Sequence, residues 1–502
     1  MSEKNKKTII IGIIIVLLVV LGTSLSLYFI LRTRPKDDGL SPGEVAVTYI
    51  QTEDVGNIAV RVAVPEEPRY AEGAPVVVVA STWFVEKYNN PLVSFHLEHD
   101  PTLVGAIFIT NLWPGRTDPD TNASSDGAYD YGGPNCLKAL RDTILFAAGE
   151  KTNIEGKYLD ELLAINPLTD NLGLYASSHA GVVATNVLAY FGDELSLVKY
   201  FVGRENPTRD EMYPLEIGHF DDQRKPIFNP YYDASAYSLT TVTVDYSNLT
   251  WIQNNDYPEG MPCYHVPNGS DYILSGKGPH IEGKRFFSAA LTQALYDNGI
   301  FNMTTWPEDL GTPAETADFW PYRITVHNYQ AIKTHLPNLK VMLVFARNDH
   351  VQSAPDKPHI RQAYDGFHTK GQLWIRLNAD NVYFQTLDNN IDEDYPENIA
   401  NEAPNNWMHA ASWGYPATYG QPLYSKGGSY AALAEMADRV KVNNWSDDLS
   451  SAFFDYEISL IESSPDSLSH SSRESFFLSL VKGFGLISIP RAMNIILDKR
   501  KI

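Results

Sequence analysis

"NLGLYASSHAGVVATNVLAY", residues 171–190, passes from an apolar stretch through two serines and a histidine into small and branched residues at helical spacing. Leu172–Ala176 suits a buried strand and the residues after His179 suit a helix, so a sharp turn falls between them. A direct strand-to-helix turn forces two backbones together and tolerates only small side chains two positions either side of its apex. Around Ser178 these positions hold Ala176 and Ala180, followed by Gly181, whereas around Ser177 they would hold Tyr175 and His179, both too large. Such a turn presents the apical side chain outward as a nucleophile and aims the next backbone N–H, that of His179, at a developing oxyanion. A packed helix that merely begins with small residues has the same spacing, so the pentapeptide alone leaves two readings open.

The rest of the chain supplies the context. Its 502 residues are 44% hydrophobic and 12% aromatic, enough for a large core. Acids outnumber bases 61 to 39, a net charge of −22 that repels phosphate backbones and excludes nucleic acid as an expected partner. Thr8–Leu31 is uncharged and long enough, at about 1.5 Å per residue, to cross a ~30 Å hydrocarbon core. Lys4, Lys6 and Lys7 precede it and Arg32, Arg34 and Lys36 follow. We read it as an uncleaved signal anchor with the large domain outside, the alternatives being a cleaved signal peptide or a cytoplasmic orientation. Five N-x-[ST] triplets, at Asn122, Asn248, Asn268, Asn302 and Asn444, favour the outward orientation as glycosylation candidates. Cys136 and Cys263 are the only cysteines, compatible with one disulfide or with two buried thiols.

A polar linker at 35–44 leads into alternating strands and helices. Val45–Gln51 and Ile58–Val64 predict a hairpin turning at Gly56-Asn57. Pro75–Ala80, PVVVVA, is branched throughout, the mark of a strand buried on both faces. Further strands are expected at Gly105–Asn111, Val198–Gly203, Leu339–Ala346 and Leu373–Leu377, with a helix beginning at Pro134. Strands separated by helices imply a doubly wound, mostly parallel α/β sheet. Between 204 and 337 the rhythm breaks into a segment rich in Tyr, Pro and Asn, with helices near Arg285–Tyr296 and Trp320–Leu336, read as an inserted cap. The expected organisation is a cytoplasmic tip and membrane anchor at 1–34, sheet core at 45–203 and 338–425, cap at 204–337, and a helical, interfacial extension at 426–502.

This arrangement, from about Val45 to Tyr419, resembles the α/β-hydrolase superfamily, whose triad runs in the order nucleophile, acid, histidine. The resemblance implies Ser178 as nucleophile. It implies Asp349 as the acid, in the RNDHV loop after the strand beyond the cap, with Asp356 as the fallback. It implies His409, in NNWMHAASWG, as the base; His368 precedes the last strand, and His470 lies in a Ser-rich stretch near the end. His179 supplies one oxyanion N–H, and the other is expected from Thr82 or Trp83 after PVVVVA, where the sequence STWF departs from the His-Gly loop of many esterases. The segment DGAYDYGGPNCLKALRD, residues 126–142, looks like the helix-leading segment of the prolyl-oligopeptidase-like branch, although no propeller repeat precedes it.

The reaction implied is ester or amide cleavage of a small-molecule or peptide substrate through an acyl-enzyme, with no cofactor. The competing class is a catalytically weak or inactive hydrolase-like protein that binds at a surface. In DNNIDED, the alternating Asp388, Asn390, Asp392 and Asp394 form a weak calcium candidate that lacks the turn glycine, and DPDTNASSDG at 118–127 is weaker still.

Overall fold

Val76 to Val79 are buried without exception, which requires cover on both faces of their sheet. The computed structural model describes residues 39–80, 101–344, 358–377 and 425–446, with residues 379 and 383, apart from short stretches within 205–237 and at 266–270 and 275–279. Its centre is an eight-stranded sheet of β1 (Val45–Thr52), β2 (Gly56–Ala63), β3 (Ala74–Val79), β4 (Ile107–Asn111), β5 (Pro167–Ser177), β6 (Val198–Arg204), β7 (Lys340–Val344) and β8 (Trp374–Leu377). The order across the sheet is β1-β2-β4-β3-β5-β6-β7-β8. β2 runs antiparallel to its two neighbours, and every pair from β4 to β8 is parallel.

Side-chain alternation divides the core into two layers. Val76, Val78, Leu172, Leu174 and Ala176 face one side, where they meet α1 (Pro134–Ala147) and α2 (Ala180–Tyr190). Val77, Val79, Tyr175, Val202 and Met342 face the other, against Leu433, Met436 and Ala437 of the helix Ser425–Val442. Each buried valine contributes about 1.5 kcal/mol or more relative to exposure. α1 begins at Pro134, where the missing N–H costs nothing, and the Asp130 carboxylate accepts the N–H groups of Gly133, Asn135 and Cys136. Residues 180–189 of α2 are all buried, which explains an apolar composition around the whole helix rather than one stripe.

The helical extension expected from 426 opens with helix Ser425–Val442, whose described part is a core layer. Tyr175 Oη and Ser429 Oγ are 3.0 Å apart, and Asn171 Nδ2 donates to the Ala437 carbonyl at 2.9 Å. Arg69 pairs with both oxygens of Asp438. Interleaved Ala, Leu and Met at 431–437 allow this close approach, a pattern too weakly amphipathic to stand out in the sequence. Residues 447–502 lie outside the described residues.

Several expected boundaries move for identifiable reasons. The β1–β2 turn is Glu53–Val55, with Asp54 at φ 63°, and Gly56 already opens β2 opposite Thr52. Val55 thereby turns into the core, while Asp126 fixes the Asn57 N–H at 2.9 Å. The helix expected near Trp320–Leu336 splits into a 3-10 turn at Trp320–Arg323 and α5 (Tyr329–His335). Ile324 is extended at the break and bridges to Arg209, which fastens the cap's return to its departure. The cap itself holds a three-stranded sheet (Leu249–Ile252, Met261–His265, Asp271–Ile273) with α3 (Ala289–Asp297) and α4 (Pro313–Phe319). Ser288 caps α3 through the Leu291 N–H, so that helix starts at Ala289, four residues after Arg285. α5 packs with the sheet core through Tyr329 and Ile332, so the cap ends before residue 337.

Among the described residues no helix is long and apolar enough to cross a membrane; Thr8–Leu31 lies outside them.

Candidate active site at the end of strand β5

β5 ends at Ser177 and α2 begins at Ala180, so two residues make the whole connection. Ser178 takes φ 54°, in the left-handed region that costs a residue with a Cβ about 1–2 kcal/mol. His179 is already helical, at φ −52° and ψ −34°. The strained residue is held from both sides: its N–H donates to the Arg204 carbonyl at 2.8 Å, and its carbonyl accepts the Gly181 N–H at 2.8 Å. Val182 N–H reaches the His179 carbonyl at 3.0 Å, so the first helical turn closes at once. A strand, a single left-handed serine and an immediate helix give the backbone geometry that a nucleophile elbow requires.

The two serines are separated clearly. Ser177 is buried, and its Oγ accepts from Arg204 Nη1 at 3.0 Å; Ser178 is half-buried at the carboxyl edge of the sheet. The flanking Ala176 and Ala180 are fully buried, as the close approach requires. Gly181 is stricter still: a Cβ there would lie 1.2 Å from Asn206 Oδ1, against the segment that leaves β6. Asn206 is fully buried, with neither amide atom hydrogen-bonded among the described residues. It carried no motif, and its proximity to the elbow follows only from the parallel pairing of β5 with β6.

Sheet register places the neighbouring loop origins around the elbow. Val79, the last residue of β3, is opposite Tyr175; Ser177 is opposite Arg204, and Arg204 is opposite Val344, the last residue of β7. β3, β7 and β8 all end at the same edge of the sheet. Thr82, Trp83, Asp349, Asp356, His409 and His470 lie outside the described residues. His368 is exposed and stacks on Tyr364, ahead of β8.

The remaining candidates separate by placement. Cys136 and Cys263 are both buried thiols, one in α1 and one in the cap sheet, and no disulfide joins them. Burial beside Asp130 pushes the Cys136 thiol well above its ordinary range and makes it unreactive. Asn122, Asn248, Asn302 and Asn444 are exposed, and Asn268 lies outside the described residues. Among the described residues no group of three His, Cys, Asp or Glu could hold a metal ion. Asp118 instead closes its own turn onto Thr121, and Asp126 fixes Asn57. Asp388, Asn390, Asp392 and Asp394 lie outside the described residues.

No model of a known protein family matches the chain, and no curated protein sequence is similar to it. Solved structures do resemble it. One is an esterase of Pyrobaculum calidifontis, at 12% identity and TM-score 0.37 over 84% of this chain and 92% of that one. Another is a thermophilic carboxylesterase cloned from a metagenomic library, at 20% identity and TM-score 0.22 over 38% of this chain and 58% of that one. A third is prolyl oligopeptidase B of Galerina marginata, at 10% identity and TM-score 0.22 over 33% of this chain and 21% of that one. The chain's own mixed, mostly parallel sheet, with its strand order and strand–turn–helix at Ser178, fits the α/β-hydrolase architecture.

Proposed function

We propose that the protein is a serine hydrolase that cleaves ester or amide bonds of a small-molecule or peptide substrate through Ser178, Asp349 and His409. The observation that carries this reading is the left-handed Ser178, half-buried at the carboxyl edge of a parallel sheet between a buried strand and a buried helix. Strain of this kind persists where the surrounding structure enforces it, and it clusters at reactive centres.

In the reaction, Ser178 Oγ attacks the substrate carbonyl carbon while neutral His409 takes its proton. The oxyanion is met by the His179 backbone N–H and by an N–H of Thr82 or Trp83. His409 returns the proton to the departing alkoxide or amine, which leaves an acyl-Ser178 ester. Water, deprotonated by His409, attacks that ester and releases the acid and the free serine. Asp349 holds the imidazole tautomer throughout. Two features favour these partners. Asp349 follows Val344 by five residues, two strand spacings of about 4.8 Å from β5. His409 follows β8, the last strand of the sheet.

Labelling with a fluorophosphonate tests the assignment. The wild-type protein and Ser177→Ala should label, and Ser178→Ala should not. Persistent labelling of Ser178→Ala sinks it, and a folded wild-type protein that never labels favours the non-catalytic surface-binding alternative. The same reading includes a signal anchor at Thr8–Leu31 with the large domain outside the cytoplasm. Exposure of Asn122, Asn248, Asn302 and Asn444 supports that orientation. Protease accessibility of the large domain on intact cells, with a mobility shift on deglycosylation, tests it; full protection overturns it.

A further inference from the structure

The cap is joined to the sheet core by a side chain that no motif announced. Gln362 lies on α6 (Pro358–Asp365), the helix that follows the loop containing Asp349 and Asp356. It is fully buried, and its amide is used at both ends. Nε2 donates to the carbonyls of Ser238, at 2.9 Å, and Thr241, at 3.2 Å, both in the cap. Oε1 accepts the Thr208 hydroxyl at 3.0 Å, where the chain departs from β6 into the cap. These partners fix the amide's orientation, because a flipped group would set an oxygen against two carbonyl oxygens. Thr208 is itself the anchor for the cap's return: its carbonyl accepts the Thr325 N–H at 2.9 Å and the Thr325 hydroxyl at 3.1 Å. One side chain therefore ties together the cap's departure, its interior and the helix behind the proposed acid loop.

We propose that Gln362 is a latch that holds the cap against the carboxyl edge of the sheet, and so a positioning residue that sets the size of substrate admitted to Ser178. The size-selection part rests on the hydrolase reading; the latch itself does not. Gln362 touches no reacting atom. Its effect is on how far the 238–241 segment can swing from α6, because the two carbonyls it satisfies have no apolar substitute for their hydrogen bonds. Releasing the latch opens the cap locally while the sheet and elbow stay in place.

The test uses the full-length protein and three variants. Gln362→Glu keeps the shape but turns a carboxylate oxygen toward the two carbonyls, Gln362→Met removes all three bonds, and Thr208→Val removes one. Two readouts are taken: limited proteolysis within 205–325, and kcat/KM for p-nitrophenyl acetate and a p-nitrophenyl ester with a bulky branched acyl group. Cleavage of the cap should accelerate about tenfold in both Gln362 variants and about threefold in Thr208→Val. The bulky-to-acetate ratio of kcat/KM should rise by about tenfold in the Gln362 variants, with the acetate ester changed by about twofold or less. Unchanged cap proteolysis in folded variants overturns the latch. Equal loss for both esters overturns size selection, because a merely structural defect lowers them together. If Gln362→Glu does not fold, Thr208→Val decides the latch by the same proteolysis measurement. A wild-type protein inactive on both esters counts against the hydrolase reading, while proteolysis still decides the latch.

Discussion

The start of helix α2, where it turns out of β5, is held by close packing, whereas the seam between the cap and the core is held by carbonyls, amides and one guanidinium. In the first region the restraint is steric: Gly181 faces Asn206, Ala176 and Ala180 leave no room, and Ser178 is forced into a left-handed conformation. In the second it is directional. Arg323 donates to the backbone carbonyls of Asp130, Tyr131 and Phe319 and lies over the Phe319 ring. Asn186 donates to the Tyr322 carbonyl at 2.7 Å and accepts from Asn328 at 2.8 Å. A close-packed region fails as a whole when one atom is added, while a hydrogen-bonded seam can open without unfolding what lies beneath it.

The sharpest way to break this contrast is Gly181→Ala. The added methyl meets Asn206, and the expected cost is about 3 kcal/mol of global stability. Asn206→Ala should recover part of it in a double-mutant cycle read by urea unfolding, since contact pairs are not additive. Arg323→Met comes next, at about 2 kcal/mol, because it removes three hydrogen bonds to backbone carbonyls. Its loss should appear in hydrogen exchange as opening confined to the cap; a drop in global stability equal to that of Gly181→Ala would erase the distinction between the regions.

Most of the sheet was legible because its signals are local. PVVVVA, the Pro134 helix start and the small residues flanking Ser178 each state their environment within a few positions. The cap's attachment was not legible, since Thr208, Asn186, Arg323 and Gln362 are ordinary polar residues whose meaning lies in partners far along the chain. The docking of helix Ser425–Val442 was hidden for another reason. Its buried residues mix Ala431, Ala432, Ala434 and Ala437 with Ser429, Glu435 and Arg439, which reads equally well as a surface helix, and partners far along the chain, such as Tyr175, Asn171 and Arg69, reveal the docking. The sharp turn at Ser178 was legible; the residues packed and bonded against it, Arg204 and Asn206, were not.

Smaller changes sharpen the comparison. Tyr175→Phe removes the contact with Ser429 but keeps the ring, and should cost about 1 kcal/mol in chemical denaturation. Within the cap, Lys284 and the Thr312 backbone hold the Glu315 carboxyl down at about 2. A carboxylate depressed in the folded state adds stability at neutral pH and loses that contribution as pH falls from its ordinary range through about 2. The pair is well exposed, so its worth is only a few tenths of a kcal/mol. Lys284→Met should raise the Glu315 titration midpoint toward the ordinary carboxylate range in NMR, with almost no change in melting temperature.

The positive φ of Ser178 has a consequence for how this position can change over generations. Selection for a sturdier molecule alone would place glycine or asparagine at residue 178, because those residues enter the left-handed region more readily. Every drift toward such a residue would raise the melting temperature and remove the only hydroxyl at the turn's apex. Under the hydrolase reading proposed above, the serine is a position where endurance and usefulness pull in opposite directions.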